Sequence, residues 1–301
     1  MSLLALLFAL VCERGLTQLF RLREGRWLDP YFDRADRALG GRRGGVPAVV
    51  ACLLIALPVV PVALFADWLG PRLLHLPQFA FDVLVLLFAF GPRDLKDEVD
   101  DYVGALERHD RDEALRRGKE LLESSPTQHG LGARAAIEEA IFVQANNRIF
   151  GVVFWFIVLG VAGAWAFRIS DMLRRRAAFE AARQGVPRMH GDLGSQLHAI
   201  HGLLSWIPAR LTAFAYALAG SFEDAVGNWR VAVDRAGSGI LDRAEDILAR
   251  VGTASLQPSL VGVGPERIDV ATARGAWRIV FRALLIWIAV IAVCVLADVI
   301  D

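Results

Sequence analysis

The residues in this sequence best suited to chemistry form a polar stripe directly in front of an apolar run. The stripe contains two carboxylates, three amides and one guanidinium: Glu138, Glu139, Gln144, Asn146, Asn147 and Arg148. Glu139 and Asn146 are seven residues apart, so they share one face of a predicted helix. Carboxylates and amides at a membrane boundary can bind Mg²⁺ or the cation of a phosphate-bearing ligand. A solvated helix shoulder with an interfacial cap is the alternative interpretation.

A second polar pair, Arg168 and Asp171, lies at the other end of the same apolar run with i,i+3 spacing. Its structural interpretation is an interfacial ion pair worth less than about 1 kcal/mol. Its functional interpretation is part of a ligand site. A straight helix rises roughly 31 Å from Asn147 to Arg168. A spanning helix therefore separates the two polar groups, whereas a bent or re-entrant helix could bring them together.

A third candidate is Arg210, which lies within the segment WIPARLT at residues 206–212, at the mouth of another apolar helix. Arginine is suited to bidentate binding of a carboxylate or a phosphate. The alternative is a simple helix start, with Pro208 in the first turn and Trp206 at the membrane interface.

Several catalytic signatures are missing from the sequence. Cys12, Cys52 and Cys294 are scattered in or beside apolar segments, which indicates small buried side chains and neither a disulfide framework nor a zinc site. The glycine-rich residues 40–45 lack the ending of a phosphate-binding loop. No serine or cysteine nucleophile motif is present.

The histidines and one isolated acid give weaker signals. His190, His198 and His201 are irregularly spaced, and Asp192 is their only nearby acid in the sequence, which argues against a metal site. Asp82 lies near the start of an apolar segment, where a carboxylate is costly and is often paired or functional.

The elements that must position these residues are predicted to be membrane helices. The chain has 301 residues, of which 55% are apolar, and 33 basic residues balance 33 acidic ones. The mean hydropathy is +0.41. Uncharged runs alternate with densely charged stretches, which excludes a disordered chain and disfavours an ordinary soluble enzyme. The lack of a basic excess argues against a nucleic-acid partner and leaves the lipid bilayer as the main one.

We expect an all-α, multi-pass membrane protein with four to six membrane-inserted helices. Residues 44–66, 149–167 and 277–297 are the strongest spanning candidates. Residues 79–91 and 211–222 are weaker, although the second becomes longer if residues 193–209 continue it. The uncharged residues 2–12 are too short to span about 30 Å and are predicted to insert or to lie at the interface. Prolines 47, 58 and 61 are tolerated in the first span if neighbours satisfy the freed carbonyls.

The hydrophilic stretches also have helical patterns, with a new helix starting near residue 133 and a hairpin at 221–251. The predicted organisation is N-terminal membrane helices with an arginine-rich loop (1–91), a hydrophilic helical region (92–148), membrane helices with a polar loop (149–222), a helical hairpin (223–275) and a C-terminal membrane helix (276–301). The charge bias of the loops does not decide the topology. Self-association into a homo-oligomer is left open.

Several short stretches, spread over nearly the whole chain, resemble the AmpE family of inner-membrane proteins associated with β-lactamase induction, and the wider CobD/CbiB family of cobalamin assembly. In order they are ER (13–14), LD (28–29), GPRDL (91–95), AAIEE (135–139), FW (154–155), AFRISD (166–171), WIPARLT (206–212) and RALLIW (282–287). The resemblance implies a CobD/CbiB-like fold, a location in the bacterial inner membrane, and a site that includes Arg93 and Asp94 besides the residues named above.

The resemblance also shows departures. The cobalamin members carry an acidic–Asn–Asp pattern just before their Phe-Trp pair, whereas this chain has Gln144, Asn146 and Asn147 there. Their Ser-Pro-Asn-Gly-type loop is replaced by DAVGNWR at residues 224–230. The chain therefore looks impaired for an ATP-dependent, amide-forming reaction, and ATP and Mg²⁺ are implied only by the resemblance.

Two functions follow as expectations. The first is a regulatory or sensory membrane protein of the AmpE type, which responds to β-lactam or cell-wall signals and binds a nucleotide or a cell-wall-derived ligand. The second is an enzyme resembling adenosylcobinamide-phosphate synthase, in which carboxylates hold Mg²⁺.

Overall fold

The computed structural model describes residues 8–9, 29–39, 45–69, 76–90, 95–123, 133–184, 192–233, 240–257, 264 and 268–297. The helices in chain order are α1 (Asp29–Leu39), α2 (Gly45–Leu69), α3 (Leu76–Phe90), α4 (Leu95–Glu107), α5 (Arg111–Glu123), α6 (Ala133–Ala145), a π-helical turn (Asn146–Phe150), α7 (Gly151–Gln184), α8 (Leu193–Ala219), α9 (Phe222–Val233), α10 (Ile240–Leu256) and α11 (Ile268–Leu296). No strand occurs within these ranges. The predicted all-α class is confirmed.

Three helical stretches are long and apolar enough to cross a bilayer: Val46–Leu69, Ala135–Ala181 and Ile268–Leu296. They overlap the three strongest predicted spans, residues 44–66, 149–167 and 277–297. Helix α3 has 15 residues and rises only about 22 Å, which is short of the roughly 30 Å of bilayer hydrocarbon. Residues 193–209 and 211–219 form one continuous helix, α8. The membrane insertion of α3 and α8 stays a prediction, as does that of residues 2–12, which lie outside the described part except Phe8 and Ala9.

The chain forms two compact units. The first contains residues up to Pro92 together with Gly151–Leu204, and the second contains Arg93–Phe150 and Ser205–Val299. In the first unit, α2 and α3 both pack on α7. Its core consists of small and branched residues on α1, α2, α7 and α8: Phe32, Ala51, Leu54, Ile169, Leu173, Ala177, Leu193 and Leu197.

Helix α2 illustrates how a proline-containing membrane helix keeps its backbone paired. Pro58 has no N–H, so the carbonyl of Leu54, four residues earlier, loses its helical donor. The Tyr31 hydroxyl of α1 donates to that carbonyl at 3.3 Å. The indole N–H of Trp165 donates to the Pro58 carbonyl at 3.1 Å. Side chains of α1 and α7 therefore hydrogen-bond to the backbone of α2 at and just before Pro58, as expected of a proline in a membrane helix.

The outward face of α2 is apolar. Leu53, Leu57, Leu64 and Trp68 are all exposed, and an exposed apolar stripe of this length marks a membrane-facing surface. Cys52 is also exposed. The expectation that it is a buried side chain is therefore wrong, because Cys52 lies on the surface of a helix whose apolar side chains face lipid.

Helix α7 is interrupted at Gly160, where φ is +64° and ψ is −155°. An L-residue rarely adopts this conformation, so glycine permits the kink. Gly160 is exposed, and a Cβ there would meet nothing within 4 Å, so its role in the structure is the kink.

The second unit is a helical bundle. Helices α9 and α10 form the predicted hairpin, and α10 packs on α6. Gly252 of α10 allows this contact, because a Cβ there would overlap the ring of Phe142. Phe142 and Phe150 contact Tyr216 edge-on at centroid distances of 5.0 and 6.0 Å. This aromatic core lies directly beside the π-helical turn.

Candidate functional site

The polar stripe before the apolar run folds into a buried cluster at the π-helical turn. Asn146 and Asn147 are the first two residues of this turn, and their side chains are 0% and 1% exposed. Ser205 and Thr212 of α8 are also buried there. We call these four residues the amide cluster. A π turn inside a helix occurs frequently at functional positions.

The Asn146 side chain connects the turn to α8. Its Nδ2 donates to Ser205 Oγ at 3.1 Å, and Thr212 Oγ1 donates to its Oδ1 at 3.2 Å. Ser205 and Thr212 are seven residues apart on α8, so they face the same side of the helix. Both polar atoms of the Asn146 amide are therefore paired, as burial requires.

Tyr216 fixes the backbone at the entry to the turn. Its hydroxyl donates to the Phe142 carbonyl at 3.0 Å. Phe142 precedes Asn146 by four residues, so its carbonyl is the acceptor that the Asn146 N–H would use in a regular α-helix. The Tyr216 hydroxyl of α8 thus hydrogen-bonds to the backbone of α6 at the point where the α-helix changes into the π-helical turn.

Asn147 is paired less completely than its neighbour. Its Oδ1 lies 3.5 Å from Asn146 Nδ2, which is a long contact. Its Nδ2 has no hydrogen-bond partner among the described residues. A buried amide donor without a partner costs free energy comparable to a lost hydrogen bond, and it is a point at which a bound oxygen acceptor would be stabilised.

The charged members of the stripe lie around this cluster. Arg148 is buried and pairs with Glu98 of α4 at 3.0 Å. Glu138 and Gln144 are also buried. Glu139 is half-buried, and its helix, α6, packs on α10 of the hairpin.

The amide cluster does not fit a Mg²⁺ site. Mg²⁺ is usually held by one or two carboxylates, and the four residues of the cluster supply none. Asn146 Oδ1, its best oxygen ligand, already accepts the Thr212 hydroxyl proton. Within the described ranges no group of three or more His, Cys, Asp or Glu residues is placed to hold a metal ion.

The second polar pair becomes part of a larger cluster in the first unit. The fully buried carboxylate of Asp171 contacts three guanidinium groups: Arg168 at 3.3 Å, Arg174 at 2.8 Å and Arg175 at 2.8 Å. We call these residues, with His201 and Ser170, the aspartate cluster. The predicted i,i+3 pair forms, but it is buried instead of interfacial. Its contribution to stability therefore depends mainly on the cost of desolvating the charges and not on screening by water.

His201 packs against this carboxylate. Its Nε2 lies 3.8 Å from Asp171 Oδ1, so the expectation that Asp192 is its only acidic neighbour is wrong. The Ser170 hydroxyl donates to the Phe167 carbonyl at 2.7 Å, and Ser170 Oγ lies 2.9 Å from His201 Nδ1. Since the hydroxyl has one proton, His201 Nδ1–H is the donor in that contact. The imidazole therefore presents Nε2 toward the carboxylate.

The remaining predicted residues do not come together in one site. Arg210 is half-buried, donates to the Trp206 carbonyl at 2.9 Å and lies 4.2 Å from the centroid of the Trp206 indole. Pro208 and Arg210 lie inside α8, which begins at Leu193, so the expectation of a helix start at residues 206–212 is wrong. Arg93 and Asp94 lie outside the described residues. Asn147 belongs to the second unit and Arg168 to the first.

Sequence reasoning missed Ser205, Thr212, Tyr216 and His201 as site residues. Ser205, Thr212 and Tyr216 follow i,i+7,i+11 spacing on one helix, which is a detectable signal. The arginines around Asp171 follow i−3, i+3 and i+4 spacing, which was also available. The pairing of His201 with Asp171 joins residues 30 positions apart in different helices and had no local signal.

The family model described as "CobD/Cbib protein" matches residues 21–239, which is most of the chain. The chain belongs to the CobD/CbiB family. Both polar clusters of this family member lie inside the matched region, whereas α11 lies beyond it.

Three curated relatives carry two different names. The cobalamin biosynthesis protein CobD of Stutzerimonas stutzeri is 32% identical over 199 residues, which cover 66% of this chain and 63% of that protein. The protein of the same name from Chromobacterium violaceum is 28% identical over 78% of this chain and 76% of its own. Protein AmpE of Shigella flexneri is 28% identical over 76% of this chain and 78% of its own. No solved structure matches the chain significantly.

Proposed function

We propose that this chain is an inner-membrane regulatory protein of the AmpE type, acting in β-lactamase induction in response to β-lactam or cell-wall signals. The amide cluster carries this proposal. Where the cobalamin members have acids, this chain has the neutral Asn146 and Asn147, and Asn146 is bonded to side chains of α8. Such an arrangement suits recognition and conformational response better than metal-assisted catalysis.

The proposed response is a change in how α8 holds the π-helical turn. Asn147 Nδ2 is a buried donor without a partner among the described residues, so an uncharged oxygen of a ligand would gain a hydrogen bond there. Ligand access requires separation of Ser205 and Thr212 from Asn146. Binding then favours the separated state, and the population of that state is the signal.

The experiment measures β-lactamase induction in a strain that lacks this gene and carries it on a plasmid. Asn146→Ala and Thr212→Val each remove one side of the connection, and we expect both to alter induction at normal protein levels in the membrane. Glu139→Gln and Arg210→Gln test the outer members of the predicted site in the same way. Asn228→Ala, which affects an exposed asparagine on α9, is the matched control.

Two results would contradict the proposal. The first is unchanged induction on deletion of the gene. The second is unchanged induction in both cluster variants while membrane levels match those of the wild type. A uniform loss of protein in all variants, the Asn228 control included, would be detected by immunoblotting and distinguished from a signalling defect.

A second candidate function is the amide-forming step of cobalamin assembly, which is favoured by two relatives named CobD. Its test is complementation of a cobalamin auxotroph that lacks this step. Growth of the complemented strain would support the enzyme and count against the regulatory proposal. We expect no growth, because the oxygen and nitrogen of the Asn146 amide are already engaged.

A further inference from the structure

A cavity in the second unit lies outside both polar clusters. It has a volume of about 310 Å³ and is lined by the C-terminal end of α8 and by parts of α10 and α11: Ala219, Gly220, Ser221, Ser255, Gly275, Arg278, Ile279 and Arg282. This volume is at the lower end of the range typical of small-ligand sites, roughly 300–1,000 Å³. Its α11 lining lies beyond the region matched by the family model.

The two arginines of the cavity are incompletely used by the protein. Arg278 Nε is 3.4 Å from the Arg274 carbonyl, and Arg282 Nη1 is 3.4 Å from the Ala219 carbonyl. Hydrogen bonds of this length are weak, and each guanidinium has five N–H donors. Among the described residues neither has a carboxylate within ion-pair distance. Arg274, one turn earlier, pairs with Glu107 at 2.8 Å.

The rest of the cavity surface is small and already paired. The Ser221 hydroxyl donates to Asp224 at 2.6 Å, and the Ser255 hydroxyl donates to the Val251 carbonyl at 2.7 Å. Gly220 lets α8 approach α10, since a Cβ there would lie 2.7 Å from Ser255 Cβ. The free binding capacity therefore comes from the guanidinium groups, and the small residues provide the space in front of them.

The position of Arg278 and Arg282 on α11 indicates which type of anion the cavity would bind. Arg278 and Arg282 precede the uncharged residues 283–296 of a helix that is long and apolar enough to span a bilayer. Phe281 and Leu285, beside them in the sequence, are exposed. A guanidinium at the start of such an apolar run lies at the level of lipid headgroups. Two of them on one helix, i and i+4, can approach one phosphate together.

We propose that this cavity binds the phosphate of an anionic glycerophospholipid, held between Arg278 and Arg282 with its acyl chains along the apolar surface of α11. The site is independent of the regulatory function proposed above, because it shares no residue with the amide cluster. It makes the C-terminal span a lipid-selective element of the protein.

The test uses the full-length protein in detergent, with phosphatidylglycerol and phosphatidylcholine added in turn and retained lipid counted by native mass spectrometry. We expect the wild type to retain phosphatidylglycerol preferentially. The double variant Arg278→Gln/Arg282→Gln should retain it roughly tenfold to thirtyfold less. The single variants Arg278→Gln and Arg282→Gln are compared with Arg274→Gln, the matched control, which removes one charge from the same helix at an arginine already paired with Glu107.

A measurement on the wild type alone guards against a variant that fails to fold. Phosphatidylglycerol should raise the Tm of the wild type more than phosphatidylcholine does. Inorganic phosphate, added as a separate probe, should not displace the lipid, because it lacks the acyl chains. Equal retention of both lipids by the wild type, an equal loss in Arg274→Gln, or displacement by inorganic phosphate would each overturn the proposal.

Discussion

Replacing Asp171 with asparagine removes a negative charge that contacts two buried arginines and a third, half-buried one. The carboxylate contacts Arg174 and Arg175 at 2.8 Å and Arg168 at 3.3 Å, and its own side chain is fully buried. Asparagine has nearly the same shape, so the packing is conserved while the charge is lost. Removing one partner of a buried ion pair costs about 3–5 kcal/mol, because the opposite charge stays in a low-dielectric environment.

This free energy can be measured as a change in thermal stability. At about 2–4 °C per kcal/mol for a chain of this size class, Asp171→Asn should lower the Tm of the detergent-solubilised protein by roughly 6–20 °C. Differential scanning fluorimetry, which uses the eight native tryptophans, detects such a change directly.

The matched control is Asp33→Asn in the same unit. Asp33 pairs with Arg176 at 3.0 Å, but its side chain is 36% exposed, so its loss should cost about 1 kcal/mol or less. If Asp171→Asn lowers the Tm no more than Asp33→Asn does, the reasoning from burial is refuted. The aspartate cluster would then be solvated in the membrane protein.

Two further outcomes follow from the second unit. Gly252→Ala should destabilise the protein by about 1–3 kcal/mol, because its Cβ would overlap the Phe142 ring. Gly227→Ala should instead stabilise the protein by about 0.5–1 kcal/mol, because nothing lies within 4 Å of the added Cβ. Chemical denaturation measures the free energy of unfolding of both variants. A change of the same sign in both would contradict the packing argument. Burial, with a smaller effect of Asp269, raises the pKa of the Tyr102 phenol from 10.0 to about 12. This raised pKa contributes up to about 3 kcal/mol to the free energy of unfolding, in full below pH 10, and the contribution is lost between pH 10 and 12. Tyr102→Phe should therefore reduce the loss of stability at alkaline pH in denaturation curves. An unchanged pH profile would exclude Tyr102 as the cause.

The fold was predictable where apolar character is continuous. Charge-free runs located the three long apolar helices, because hydrocarbon accepts few charged side chains. Gly237, Ser238 and Gly239 favour a break within the hairpin predicted at 221–251, and α9 and α10 end and begin on either side of these residues. The kink at Gly160 was not predictable, because a glycine inside an apolar run is equally compatible with a straight membrane helix that packs closely on a neighbour.

The candidate site was predictable only in its local part. Asn146, Asn147 and the Arg168–Asp171 pair stand out because polar groups beside an apolar run need partners. Their partners on α8 are 30 or more residues away in the sequence, and helical periodicity gives no information about which distant helix face meets them. The burial of the arginines around Asp171 was missed for the same reason, since a triplet of arginines near the end of a membrane helix is more typical of a headgroup contact.

The π-helical turn changes the rotational phase of everything that follows it. A single such turn places one more residue between successive hydrogen-bonded positions than an α-helix does, and one residue corresponds to about 100° around the helix axis. Two residues on opposite sides of Asn146–Phe150 therefore do not share a face when their spacing is seven. Alignment of family members by helix face should accordingly restart at Gly151.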